Sequence, residues 1–287
     1  MAGIYEGRTA LVTGASSGLG AAYARGLAAR GADLVLVARR QERLDALAEA
    51  LRARGGKAEV VTADLAQPDA AKGVMATLDA PPDILVNNAG FGLPGAYAAT
   101  PWEAQRDFIQ LMVTAYAQLA HIANASMHER GWGRIVNVAS VAGLVPGSAG
   151  HTLYGASKAF LVGFSQSLAA EGAAAGVRAQ ACCPGFTHTE FHDANGTRER
   201  MNALPGWMWM EAADVVEGSL DALEDGPVVY VPGGVNKALA RFSRLIPRAA
   251  AERLMNRQSA TFRRTDAGAP SSSGSGSGAS SGSTTTR

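Results

Sequence analysis

Cysteine is nearly absent from this chain. The two that occur, Cys182 and Cys183, are neighbours in an apolar, strand-like run. They supply neither a disulfide framework nor the spaced ligands of a zinc site. Five histidines add no metal constellation. His188 and His192 stand four apart, but the residues between them lack the helical metalloprotease pattern and no third ligand is evident. No metal is expected. No apolar run reaches the ~18 residues of a transmembrane helix, and the N-terminus lacks a signal-peptide core. With reduced, buried thiols, the expectation is a cytoplasmic protein. An excess of charge is also missing: 26 Lys and Arg stand against 25 Asp and Glu, a formal net charge of +1. That balance argues against a dedicated nucleic-acid binder. What is present is 287 residues, 47% hydrophobic and 18% charged, enough apolar content for a full core.

The first apolar run, residues 8–13, reads as a buried strand. It leads into Thr13-Gly14-Ala15-Ser16-Ser17-Gly18-Leu19-Gly20 and then an Ala-rich helix to about Arg30. A strand, a Gly-rich turn and a helix start make an anion cradle: glycine lets the backbone approach a diphosphate, and the helix N-terminus supplies N–H groups. The spacing of Gly14, Gly18 and Gly20 is wider than the ordinary dinucleotide fingerprint. A second strand, Asp33 to Ala38, is followed by Arg39-Arg40. A NAD site would put a carboxylate there for the ribose 2′-hydroxyl. Two guanidinium groups fit a 2′-phosphate instead and favour NADP(H).

Helix 41–53 and strand 57–62 precede Asp64-Leu65, a place for an adenine contact or a plain turn cap. Helix 68–78 and strand 83–87 lead to Asn87-Asn88-Ala89-Gly90, a polar turn that braces the sheet or lines a cleft. Residues 101–128 read as one long helix with Pro101 near its start. Strand 133–140 ends at Ser140, and the next helix carries Tyr154 and Lys158. Four residues apart on a helix, these two side chains share a face. A nearby ammonium favours the phenolate, so Tyr154 can give a proton to a carbonyl oxygen or take one from an alcohol. Ser140 can hold the same oxygen. A Ser-His triad is weaker, because no Gly-x-Ser-x-Gly elbow surrounds Ser140.

Strand 177–183 ends in Pro184-Gly185. Residues 186–210 show no clean period but contain Phe186, Phe191, Trp207, Met208, Trp209 and Met210. Two readings stand level: a lid over an apolar substrate, with Phe191, Trp207 and Trp209 as its aromatic members, or a patch covering the core or a neighbouring subunit. Helix 211–224 and strand 228–231 follow. The stretch 237–264 has eight Lys or Arg and one acid, with apolar residues at helical spacing interrupted by Pro247. It reads as a helix packed on the core or a partner with a solvated basic face, in preference to weak contact with a membrane surface. The Ser, Gly and Thr of residues 267–287 predict a disordered tail.

Taken together, Thr13-Gly14-x3-Gly18-x-Gly20, Asn87-Asn88-Ala89-Gly90, Ser140, Tyr154-x3-Lys158 and Pro184-Gly185 occur in one order at matched strand ends. The chain resembles the short-chain dehydrogenase/reductase family over about residues 6–235, in its NADP(H)-preferring branch. The resemblance implies an α/β fold: a single-domain, Rossmann-like, doubly wound parallel sheet with helices on both faces. It implies a catalytic domain over 1–235, and the basic amphipathic pattern beyond it predicts a helical extension over 236–266. In the family's pattern Gly14, Ser16, Ser17, Gly18, Leu19 and Gly20 surround the cofactor phosphates, and Arg39 and Arg40 bind the 2′-phosphate. Asp64 and Leu65 flank adenine, while Asn88, Ala89 and Gly90 line the nucleotide. Pro184, Gly185, Phe186, Thr187 and Thr189 lie beside the nicotinamide. Tyr154 is the acid/base, Lys158 lowers its pKa and binds the nicotinamide ribose, and Ser140 orients the substrate oxygen. A homodimer or homotetramer acting on a hydrophobic small molecule is implied.

One position departs from the family. Its usual Asn in the helix before the serine-bearing strand is Met112 here, in Gln110-Leu111-Met112-Val113-Thr114. Methionine cannot replace the amide's hydrogen bonds in the proton relay. The intact Ser140, Tyr154 and Lys158 favour a working carbonyl reductase. A reductase of an imine or other electrophile, and an NADP(H)-binding sensor with weak catalysis, stay open.

Overall fold

The computed structural model describes residues 3–93, 95–147, 149–150, 152–190 and 205–245, and the side chains of these as far as residue 242. Strands β1 (Thr9–Thr13), β2 (Asp33–Ala38), β3 (Ala58–Thr62), β4 (Ile84–Asn87), β5 (Gly133–Val138), β6 (Val177–Cys182) and β9 (Val229–Tyr230) form one sheet in the order β3-β2-β1-β4-β5-β6-β9. Every pairing in it is parallel. Parallel strands must be covered on both faces, which is why β1, β4 and β5 are buried on consecutive residues rather than alternate ones.

Helices α1 (Gly18–Ala29) and α2 (Gln41–Arg52) cover one face with α7 (Ala212–Asp225). On the other lie α3 (Ala70–Ala76), α4 (Trp102–Ile109), α5 (Tyr116–Arg130) and α6 (Thr152–Gly172). The apolar side chains of the two faces form separate cores on either side of the sheet. The order of strand addition reverses between β1 and β4, so the crevice of this doubly wound sheet opens at their C-terminal ends. The Gly14–Gly20 turn and the Asn88–Gly90 turn are its two lips.

Three expectations need correction. The expected helix over 101–128 is continuous but not uniform: α4 runs into α5 through a π-helical stretch, Gln110–Ala115. It carries Met112, which is fully buried. The aperiodic stretch 186–210 holds a second small sheet, where β7 (Thr187–His188) pairs in parallel with β8 (Met210–Glu211). Finally, α8 (Gly234–Leu245) starts before the boundary drawn at 236. It is tied to the domain by buried Ala240 and by Asn236, whose amide donates to the Pro232 carbonyl at 3.0 Å. Residues 246–264, most of the basic stretch, and the tail over 267–287 lie outside the described residues, as do Phe191 and His192. No helix among the described residues is long and apolar enough to cross a membrane.

Candidate active site

Gly14 stands at φ +67°, and a Cβ there would come within 2.8 Å of the Ala89 Cα and the Asn88 amide. A Cβ on Gly20 would overlap the Gly14 carbonyl oxygen. The two crevice lips therefore touch through backbone. Thr13 locks them together. Its hydroxyl accepts from the Asn88 and Ala89 N–H groups at 2.9 and 3.0 Å and donates to the Val86 carbonyl. The Asn88 side chain donates to the Thr13 carbonyl at 2.9 Å. Asn88 thus braces the sheet, as its place at the strand end predicts.

Ser17 is the N-cap of α1 but makes no capping hydrogen bond. Its hydroxyl and that of Ser16 accept from Arg40 instead, at 2.9 and 3.0 Å. The first-turn N–H groups of α1 are left without a side-chain cap, which suits them to an anion. Arg39 is exposed and makes no hydrogen bond or ion pair among the described residues. Arg40 also pairs with Glu190 at 3.1 Å, and Arg43 on α2 reaches the same carboxylate at 2.6 Å. Neither Arg43 nor Glu190 was legible in the sequence. The Arg43–Glu190 contact spans 147 residues and leaves no spacing signal.

Asp64 and Leu65 divide. The Asp64 carboxylate accepts from the Ala66 N–H at 3.1 Å, a turn-capping bond. The Leu65 side chain is buried in the core with Leu11 and Val35, so any contact it gives adenine comes from its backbone.

The proton-handling residues meet at the end of β5. Lys158 is buried, and its Nζ donates to the Val138 carbonyl at 2.6 Å. It stands 5.7 Å from the centroid of the Tyr154 ring. The turn Val141–Gly143 lies directly on α6: a Cβ on Gly143 would meet the Lys158 carbonyl carbon at 2.5 Å. That contact brings Ser140 close enough to Tyr154 for its hydroxyl to lower the phenol's pKa. Ser140 also accepts from the Ala142 N–H at 3.1 Å and contacts the Pro184 carbonyl at 3.4 Å.

The electrostatics differ from the sequence expectation. Tyr154 is partly exposed to the crevice, yet the protein packed around its hydroxyl raises its pKa, and the Ser140 hydroxyl only partly opposes this. Burial pushes the Lys158 ammonium down to about 7, against the nearby Cys183 and Cys182 thiols. Lys158 therefore does not make Tyr154 a phenolate in the cofactor-free protein. The phenol is held protonated at neutral pH.

Met112 packs beneath the Asn88–Gly90 turn, where a Cβ on Gly90 would lie 2.8 Å from its Sδ. It is a core residue here, and its side chain offers no polar group to a relay. Tyr116, one turn on, was missed in the sequence. It is fully buried and donates to the Ala89 carbonyl at 2.9 Å. Its phenol is pushed up by burial and by its neighbour Tyr154.

On the far side of the crevice, the Pro184 carbonyl accepts from the Val141 N–H at 3.0 Å, and Gly185 is pressed against the Asn236 side chain. Thr187 is buried and donates to the Gly185 carbonyl at 3.2 Å. Thr189 lies over the start of α1, with its Cβ 3.0 Å from where a Cβ on Gly18 would stand. Trp209 stacks on His188 at 4.7 Å and packs against Phe186 at 5.7 Å. It braces this segment. Trp207 is 68% exposed.

A family model described as short chain dehydrogenase matches residues 8–200. An uncharacterized oxidoreductase of Myxococcus xanthus is 39% identical over 213 residues, spanning 73% of this chain and 81% of that protein. A solved short-chain dehydrogenase from Sphingobium yanoikuyae in complex with NADPH superposes with a TM-score of 0.75 at 34% identity, covering 93% of this chain and 98% of that one. The bulky-bulky ketone specific alcohol dehydrogenase from Comamonas testosteroni superposes with a TM-score of 0.70 at 33% identity, covering 89% and 94%.

Proposed function

Since the chain belongs to the short-chain dehydrogenase family, we propose that it is an NADPH-dependent reductase of a ketone or aldehyde carbonyl in a hydrophobic small molecule. The observation that carries this reading is the meeting of Ser140, Tyr154 and Lys158 at one edge of a crevice whose other edge is a glycine turn beside Arg39, Arg40 and Arg43. The residues fit a phosphorylated dinucleotide. Gly14 and Gly20 leave no room for a Cβ, the start of α1 lacks a side-chain cap, and the arginines match a 2′-phosphate. Bound NADPH supplies the hydride.

The chain's own part is position and proton. Ser140 donates to the substrate oxygen and orients it. Tyr154, kept protonated by its surroundings, gives its proton to that oxygen. Lys158 then serves the ribose hydroxyls and restores charge balance near Tyr154. Phe186 and Trp209 supply an apolar wall consistent with a hydrophobic substrate, and the ketone-specific Comamonas enzyme supports that class. Two free, buried cysteines fit a reducing compartment such as the cytoplasm. We extend the reading to a homodimer or homotetramer, which sedimentation velocity would test.

The experiment is NADPH and NADH oxidation at 340 nm against a panel of hydrophobic ketones, aldehydes and imines. NADPH consumption that requires a carbonyl substrate is the expected result. Consumption with imines alone would replace the substrate class, and tight NADPH binding without turnover would favour a sensor.

Met112 is the observation favouring that second reading. Met112→Asn separates the two. We expect kcat to change less than about threefold while stability falls by about 2 kcal/mol, because an amide enters a fully buried, apolar position. A rise in kcat of about tenfold, ~1.4 kcal/mol in the barrier, would mean that methionine impairs the relay and that the natural protein is a weak catalyst.

A further inference from the structure

Arg40 and Arg43 make an anion seat at the start of α2, and a carboxylate of the chain itself sits in it. Glu190 Oε2 lies 3.1 Å from Arg40 Nη1 and 2.6 Å from Arg43 Nη1, and its Oε1 is 2.7 Å from Arg43. The same Arg40 holds the hydroxyls of Ser16 and Ser17 on the phosphate-binding turn. The carboxylate is delivered there by two fixed contacts. Strand β7 is pinned to β8, and Thr189 rests over Gly18 at the helix start. The Arg43 and Arg40 guanidiniums hold the Glu190 carboxyl below the usual carboxylate range, so it is ionised throughout the neutral range.

We propose that Glu190 sets cofactor discrimination in this protein by competing, as an intramolecular anion, with the ribose 2′-phosphate for Arg40 and Arg43. This rests on the NADP(H) reading and deepens it. A 2′-phosphate carries close to two negative charges and three acceptor oxygens at neutral pH, against one charge and two oxygens on the carboxylate. It displaces Glu190, but part of its binding energy goes to breaking the internal pairs. A dinucleotide with a plain 2′-hydroxyl has no need of the seat and leaves Glu190 in place. The net preference for NADPH is therefore smaller than the arginines alone would give. All three side chains are about half exposed, so the competition is moderate and weakens with salt.

The test is direct binding of NADPH and of NADH, by calorimetry at low salt, to the wild type and to Glu190→Gln, Arg43→Leu and the double variant. Glu190→Gln is isosteric and exposed, so it leaves the fold intact. It should tighten NADPH about fivefold, which corresponds to ~1 kcal/mol, and leave NADH within about twofold. Arg43→Leu should weaken NADPH, and the gain from Glu190→Gln should shrink below about twofold in its background. Selective NADPH binding by the wild type that does not tighten in Glu190→Gln overturns this proposal alone. Equal shifts for both cofactors overturn it too, because they report a general change in the segment. Binding of neither nucleotide by any variant overturns it together with the NADP(H) reading.

Discussion

Replacing Tyr154 with phenylalanine is expected to lower kcat by about 1,000-fold, ~4 kcal/mol in the barrier, with the NADPH dissociation constant unchanged within about twofold. The substitution removes one oxygen and keeps the ring, which packs with the residues of the second core and faces Lys158 at 5.7 Å. Neither companion residue offers so clean a test. Lys158→Met would also delete the buried bond from Nζ to the Val138 carbonyl, and Ser140→Ala would release the Ala142 N–H. Both perturb the turn at the end of β5 as well as the chemistry. With the phenol gone, the oxygen that Ser140 holds has no proton source in the geometry described. Stopped-flow fluorescence for binding and steady-state absorbance for turnover read the two quantities separately. Full activity in this variant contradicts the assignment of Tyr154 as the proton donor.

Much of this site could be read before any coordinates, because each part sits at a place the chain marks chemically. Apolar runs ending in Thr13, Ala38, Asn87 and Val138 announce buried parallel strands, and in such a sheet the residues just past those ends face the crevice. Gly14 and Gly20 announce a turn that tolerates no Cβ. Other features left no mark. The π-helical stretch at Gln110–Ala115 has no glycine or proline to announce it. Leu111, Met112 and Ala115 all face the core there, a set that ordinary helical spacing also accommodates. Strands β7 and β8 are two residues each and lie far apart in sequence, so no period exists to detect. The Tyr154 environment also inverted a pairwise argument. An ammonium near a phenol lowers its pKa in isolation, but burial acts on both groups here and dominates both.

Arg39 and Arg40 looked equivalent as a dipeptide, and the structure gives them different loads. That difference makes an opposed pair of outcomes. Arg39 is the first residue beyond β2, exposed and without a side-chain partner among the described residues. It can meet a 2′-phosphate without breaking anything. Arg39→Asp replaces an attraction with a repulsion at that point. We expect the NADPH dissociation constant to rise about 100-fold, ~2.7 kcal/mol, the scale of a lost charge-assisted hydrogen bond with like-charge repulsion added. NADH should stay within about threefold. Arg40 instead ties Ser16 and Ser17 to Glu190. Arg40→Leu loosens the turn that both cofactors share, so it should weaken NADPH and NADH together, NADPH more. Parallel calorimetric titrations of the two variants with both nucleotides decide the matter. An equal loss of NADPH and NADH in Arg39→Asp would remove Arg39 from the 2′-phosphate site. If Arg40→Leu then weakened NADPH alone, Arg40 would be the residue that carries the discrimination.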